Sequence, residues 1–249
     1  MLRLSRLRWL GTWALLACLF PSVARADERQ VIGHSVEGRP ILAFEDSAPS
    51  PALKLLVVGD IHGNEAAGMR IARRLIAGGA PARTELLVVP TINPDGVAAG
   101  TRGNAHGVDL NRNFPFRWRP LGGGEYSGPR PLSEPETRAT HHLVLREKPD
   151  ITIWFHQPFG LIDKPNGNPF AAQRFADLIG LPSRKLPGRY PGSASRWQIH
   201  RLPRTTAFVA ELPSRAGETL VVRGVTAICK LASELATPDL SGSVASPLR

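Results

Sequence analysis

Leu55-Leu56-Val57-Val58-Gly59-Asp60-Ile61-His62-Gly63-Asn64-Glu65 is an apolar run that breaks into glycine, an acid and a His-x-x-Glu pair. The run reads as a buried strand, and Gly59-Asp60 marks its C-terminal end. Open α/β sheets carry ligand and catalytic groups at that edge. Imidazole and carboxylate are both zinc ligands, and a catalytic zinc takes three protein groups and keeps one position open. His62 and Glu65 lie on a turn leading into a helix, so both side chains can converge on one ion. The motif alone is unspecific: a loop histidine beside an acid stabilised at a helix N-terminus is the plain alternative. A metal site needs a third ligand, a base and a charge clamp from elsewhere in the chain.

Outward from this strand, the pattern alternates. Leu53 to Gly59 reads as a central strand, and Glu65 to Ala77 as a helix with Ala66, Met69, Ile71, Ala72, Leu75 and Ile76 on one face. Glu85 to Ile92 is a strand ending in the turn Asn93-Pro94-Asp95-Gly96. Upstream, Val31 to Phe44 forms one or two short strands around Glu37-Gly38-Arg39-Pro40. Val97 to Tyr126 is a long aperiodic loop, and such loops inside a domain are usually functional. Ser133-Glu134-Pro135-Glu136 opens a helix as a capping box, running to about Arg146. Asp150 to Phe155 is a third strand, ending at His156. Asn168-Pro169 opens a helix through Ile179. Arg204 to Leu212 is a fourth strand, and Thr219 to Leu235 a closing helix. This alternation predicts α/β layers in one domain.

The 249 residues suffice for one large core. Arg3, Arg6 and Arg8, the apolar stretch Trp9 to Val23 and Ala24-Arg25-Ala26 together read as a cleaved signal peptide over residues 1–26. Leu15-Leu16-Ala17-Cys18 offers a competing lipid-anchor reading at Cys18. Cleavage loses four arginines and no acid, taking the net charge from +10 to +6. No dense basic block with interleaved aromatics is present, which argues against nucleic acid as a partner. The mature chain keeps Cys229 alone, so an intrachain disulfide is excluded. A periplasmic or secreted protein is expected, with a catalytic domain over 27–237, a loose tail over 238–249 and no transmembrane anchor after cleavage.

Each strand end carries polar groups that a core disfavours: His62 and Glu65, then the loop with Arg102, Asn111 and Arg112, then His156, then Glu211 inside Phe208-Val209-Ala210-Glu211-Leu212-Pro213. His106, His141, His142 and His200 compete with His156 as the third ligand. Asp109 and Asn113 read as loop-shaping residues, and Asp60 as structural or orienting a ligand histidine.

These pieces, in this order, resemble the zinc carboxypeptidase family. The resemblance rests on His62-Gly63-Asn64-Glu65, Asn93-Pro94-Asp95-Gly96, Thr101-Arg102-Gly103-Asn104, Gly107 to Pro115, Phe155-His156 and Ala210-Glu211-Leu212-Pro213. Within the family the chain is most like the murein peptide amidase branch, through His156-Gln157-Pro158, Ile162-Asp163-Lys164-Pro165 and Pro191-Gly192-Ser193 followed by Trp197. The resemblance implies a three-layer α/β/α sandwich around a mixed, mostly parallel sheet. It implies one zinc ion held by His62, Glu65 and His156, Glu211 as general base, Arg102 polarising the scissile carbonyl, and Asn111 with Arg112 gripping a terminal carboxylate. The expected reaction is hydrolysis of an amide beside a free carboxylate, with γ-D-glutamyl-diaminopimelate in wall-derived peptides as substrate. A conventional metallocarboxypeptidase and a non-catalytic wall-binding protein are the alternatives. One departure stands out: no tyrosine lies between Pro191 and Glu211, where the family's substrate-capping residue is expected, and Tyr190 lies just upstream. Asp163, Arg196 and Trp197 are candidate substrate contacts.

Overall fold

The computed structural model describes residues 28–164, 169–186 and 190–237. The expected signal peptide, Cys18 and the expected tail lie outside the described residues. A single eight-stranded sheet runs in the order β1-β2-β4-β3-β5-β8-β6-β7. Its strands are β1 (Glu28–His34), β2 (Pro40–Ser47), β3 (Leu53–Val58), β4 (Thr84–Val89), β5 (Ile151–His156), β6 (Phe159–Asp163), β7 (Ser183–Arg184) and β8 (Thr206–Pro213). The inner four, β4-β3-β5-β8, are parallel. β1 and β2 form an antiparallel hairpin on one flank, and β6 runs antiparallel to β8 on the other. The sheet is therefore mixed, with a parallel centre.

Among the described residues the α-helices are α1 (Ala67–Gly78), α2 (Pro94–Ala99), α3 (Pro135–Glu147), α4 (Phe170–Ile179), α5 (Ala194–Arg201) and α6 (Glu218–Ala236). Two cores sandwich the sheet. Ile71 and Leu75 of α1, Phe175 of α4 and Ile228 of α6 pack on Val57, Ile153 and Phe208. On the other face Leu143 and Val144 of α3 and Trp197 of α5 pack on Leu56, Trp154 and Val209. Strands buried on both faces need continuous apolar sequence, which is why β3, β5 and β8 read so plainly. Each fully buried Leu, Ile or Phe contributes roughly 1.5–3 kcal/mol.

The chain leaves β3 through α1 on one face and reaches β5 through α3 on the other. Neighbouring strands whose connections part to opposite faces open a crevice at their C-terminal ends. His62 and Glu65 follow β3, His156 ends β5, and Glu211 sits directly beside His156 in the β5–β8 register.

Several expectations shift. Four strands beyond the N-terminal segment become six, because β6 and the two-residue β7 carry no apolar run. Asn93-Pro94-Asp95-Gly96 is a helix start and not a free turn: Asn93 Oδ1 accepts the Gly96 N–H at 2.9 Å, and Pro94 needs no N–H in the first helical turn. α1 begins at Ala67, which leaves Glu65 on the turn. α3 begins after Glu134, with no side-chain cap bond, so the capping-box reading of Ser133 and Glu136 fails. Gly63 is required where it stands, since a Cβ there would run into the backbone of Gly96 and Val97. Among the described residues no helix is long and apolar enough to cross a membrane.

Candidate active site

All seven residues singled out from the sequence line one cavity: His62, Glu65, Arg102, Asn111, Arg112, His156 and Glu211. Three of them converge. His62 Nδ1 lies 2.9 Å from Glu65 Oε1, and His156 Nδ1 lies 3.2 Å from both His62 Nδ1 and Glu65 Oε2. Among the described residues this is the one group of acids, histidines and cysteines gathered closely enough to hold a metal ion.

The spacing tests what these atoms fit. Bonds of 2.0–2.1 Å to a tetrahedral zinc put neighbouring ligand atoms about 3.3 Å apart, close to the separations found. Two imidazole Nδ1 atoms at 3.2 Å with a carboxylate beside both rings make a donor set suited to a cation. The outer nitrogen of His62 is tied back to a carboxylate, 3.0 Å from Asp109 Oδ1, whereas His156 Nε2 faces the Asn111 amide nitrogen at 3.3 Å. Asp109 accepts the His62 Nε2–H, so a metal that replaces the proton between His62 Nδ1 and Glu65 meets the Nδ1 lone pair.

Burial alone would raise Glu65, but the hydrogen bonds with His156 and His62 outweigh it and hold the carboxylate well below the usual range. Asp109 shows the same balance, its burial outweighed by His62 and the nearby arginines. Burial pulls His156 down, towards the neutral imidazole a metal ligand must be. Glu211 goes the other way. Burial, reinforced by the negative charge of Glu65, pushes its carboxyl up to about 7, and Glu211 Oε2 has no hydrogen-bond partner among the described residues. Such a group is poised to take up a proton near neutrality.

The arginines are held in different ways. Arg102 donates from Nε to Asp109 Oδ2 at 3.0 Å and lies 3.3 Å from Glu65 Oε1 through Nη1. Arg112 is buried and donates to the Asn111 carbonyl and to Glu125 Oε1, while its Nε has no partner. Asn111 Oδ1 accepts the Ala194 N–H at 3.0 Å, which orients its amide towards His156. Gly192 makes the approach of this segment feasible: its φ is +69°, and a Cβ would strike the Arg112 carbonyl.

The structure corrects the sequence reading at several residues. Asp109, taken as loop-shaping only, also receives His62, Arg102 and the Asn111 N–H, so one carboxylate braces three functional groups. Asp60, taken as a possible orienting acid, makes no hydrogen bond to a histidine: both its oxygens are buried without partners. Gln157 was missed. Its N–H donates to Glu65 Oε2, and its side chain links Ala67 at the start of α1 to Pro213 at the end of β8. Tyr190 does face the site, and the guanidiniums of Arg112 and Arg196 lie 5.1 Å and 5.2 Å from its ring centroid. Asp163 and Arg196 line the cavity, whereas Trp197 is core, stacked near Phe114 and His141. The competing histidines stand apart: His106 pairs with Glu134, His141 and His142 contact each other, and His200 stacks on Phe116.

The zinc carboxypeptidase profile matches residues 16–169, more than half of the chain. The chain belongs to the zinc carboxypeptidase family. The match covers His62, Glu65, Arg102, Asn111, Arg112 and His156; Glu211 lies beyond it. Murein peptide amidase A of Escherichia coli is 32% identical over 180 residues, spanning 66% of this chain and 74% of its own. The same enzyme of Vibrio campbellii is 30% identical over 230 residues, spanning 84% and 88%. In three dimensions the chain resembles the murein-tripeptide amidase of Escherichia coli, with a TM-score of 0.70 and 27% identity over 85% of this chain and 94% of that one. Bovine thrombin-activatable fibrinolysis inhibitor superposes with a TM-score of 0.73 at 19% identity, over 84% of this chain and 90% of that one, a likeness of fold alone. This member of a hydrolytic family is therefore a metallopeptidase.

Proposed function

We propose that the protein is a one-zinc amidase that cleaves γ-D-glutamyl-diaminopimelate in murein-derived peptides. The observation that carries the reading is the convergence of His62 Nδ1, His156 Nδ1 and the Glu65 carboxylate in one cavity with Glu211, whose Oε2 is buried without a partner. A zinc ion bound by those three groups supplies Lewis acidity and acidifies water at neutral pH. Glu211 takes the proton from the attacking water and returns it to the leaving nitrogen. Arg102, braced by Asp109, meets the negative charge that grows on the scissile carbonyl oxygen. Asn111 and Arg112 hold the carboxylate beside the cleaved bond; a planar guanidinium suits that group because it donates two parallel hydrogen bonds. Glu125 now occupies part of the Arg112 fork, so an incoming carboxylate displaces it. Tyr190 lines the same cavity between Arg112 and Arg196, where its ring can lie against a bound substrate.

Two cationic side chains, Arg112 and Arg196, flank Tyr190, which favours a substrate with more than one carboxylate over an ordinary C-terminal residue. The relatives named as murein peptide amidases support the same choice. A conventional carboxypeptidase remains the competing reading, since Arg112 can hold any C-terminal carboxylate. The N-terminal basic and apolar segment supports a periplasmic or secreted site of action, where wall peptides occur. Purified mature protein is incubated with L-alanyl-γ-D-glutamyl-diaminopimelate, with and without chelator. Release of diaminopimelate that stops on chelation and returns with zinc is expected; release of amino acids from blocked dipeptides instead would select the carboxypeptidase.

A further inference from the structure

We infer that Asp163 and Arg196 form a two-charge reader, selecting a substrate residue whose side chain ends in both an ammonium and a carboxylate. The inference rests on the amidase reading and names the groups that recognise the far end of the released residue.

Asp163 closes β6 and Arg196 sits in the first turn of α5, and both face the cavity that holds His62 and Glu211. Each is half-buried, so neither is an ordinary solvated surface charge. Asp163 Oδ1 accepts the Leu186 N–H at 2.7 Å, which fixes the carboxylate. Among the described residues Asp163 has no ion-pair partner, and Arg196 has neither an ion pair nor a hydrogen bond; its guanidinium rests against Tyr190. A cation in the first turn opposes the helix dipole, and α5 has no acid there to offset it. The protein thus keeps two opposite charges near each other, in one cavity, without pairing them. Groups arranged this way serve a ligand better than they serve the fold.

The sign pattern narrows the ligand. A lone ammonium would meet Arg196 and Arg112, and a lone carboxylate would meet Asp163. A group carrying both signs satisfies the wall. Length agrees as well. The guanidinium carbons of Arg112 and Arg196 lie 5.1 Å and 5.2 Å from the Tyr190 centroid, so they are at most about 10 Å apart. The two carboxyl carbons of a seven-carbon diacid are separated by six C–C bonds of about 1.5 Å each, a span of up to about 7.5 Å. Adding contact distances at either end, one such molecule bridges Arg112 to Arg196, with its second ammonium towards Asp163.

The test compares kcat/KM of zinc-loaded protein on three tripeptides that begin L-alanyl-γ-D-glutamyl. They end in meso-diaminopimelate, in L-lysine (no second carboxylate) or in L-2-aminopimelate (no second ammonium). Wild type should prefer diaminopimelate over each by roughly 10- to 100-fold, the worth of a charge-assisted hydrogen bond. Arg196→Gln should remove the preference over lysine, and Asp163→Asn the preference over aminopimelate, with zinc content and melting temperature unchanged. The wild-type panel stands even if a variant fails to fold. Equal wild-type rates on all three peptides would overturn the reader alone, as would variants that lower all three rates in proportion. No cleavage of any peptide by zinc-loaded protein would overturn the amidase reading, and the reader with it.

Discussion

Replacing Asp109 by Asn should separate metal binding from catalysis, because that carboxylate serves both with different oxygens. Oδ1 accepts His62 Nε2 at 3.0 Å and the Asn111 N–H at 2.9 Å, whereas Oδ2 accepts Arg102 Nε at 3.0 Å and Nη2 at 2.9 Å. The amide is nearly isosteric but offers one acceptor and one donor. Its oxygen will stay with the two inner donors, since His62 is buried and cannot turn to water. The NH2 then faces Arg102, which is 36% exposed and can swing into solvent. Arg102 keeps solvent and Glu65 within reach, so the released guanidinium is not stranded. Loss of its positioning matters more, since removing one donor to a developing oxyanion costs about 100- to 1000-fold in kcat. Weakening the His62 brace lowers metal affinity by roughly 10-fold, the low end for such contacts. The assay is chelator competition for zinc affinity, then kcat at saturating zinc. A kcat within threefold of wild type at saturating zinc would refute the role given to the Asp109–Arg102 pair.

Three further outcomes follow from the site. Glu211→Gln should bind zinc normally and lose about 100- to 10,000-fold in kcat, read by metal analysis and single-substrate kinetics; full activity removes Glu211 from the reaction. Because Glu211 must be ionised to accept a proton, activity should fall as pH drops through its titration. Burial sets that limb near about 7 and a bound dication moves it lower, so an acid limb well above 7 in the kcat profile would count against this base. Asp60, fully buried with both oxygens unpartnered, has its carboxyl pushed from 3.8 up to about 8. A folded state that holds its proton longer than the unfolded chain loses stability as pH rises across that window. Asp60→Asn should therefore raise the melting temperature of metal-free protein at pH 9 relative to wild type and leave it nearly unchanged at pH 3; equal shifts at both would show that the charge is not the cause.

The sequence exposed the parts of this protein that physics makes loud. β3, β5 and β8 are almost wholly buried, so they read as nearly continuous apolar runs, and their ends carry His62, His156 and Glu211 against that background. The seven residues proposed for the site could be picked out because each sits in a short motif whose order along the chain is specific. What stayed hidden depends on long-range contact. β6 contains Gly160 and an exposed Phe159, and exists because β8 offers it an antiparallel edge. α5 carries Ser195, Arg196, Gln198, His200 and Arg201 in eight residues, too polar for a helical stripe to show. Asp109 looked like a turn former because it is one, capping the Asn111 N–H; its second task needs His62, forty-seven positions away in the chain. Tyr190 lies outside the span where the capping residue is expected, and only the fold shows it beside Arg112.

The most direct test is X-ray absorption at the zinc edge on protein loaded with one equivalent of metal, for wild type and for His62→Ala and His156→Ala. The account predicts nitrogen and oxygen neighbours at about 2.0–2.1 Å with the scattering signature of two imidazoles, falling to one in either variant. A spectrum with no imidazole contribution, or one that the two substitutions leave unaltered, would contradict it.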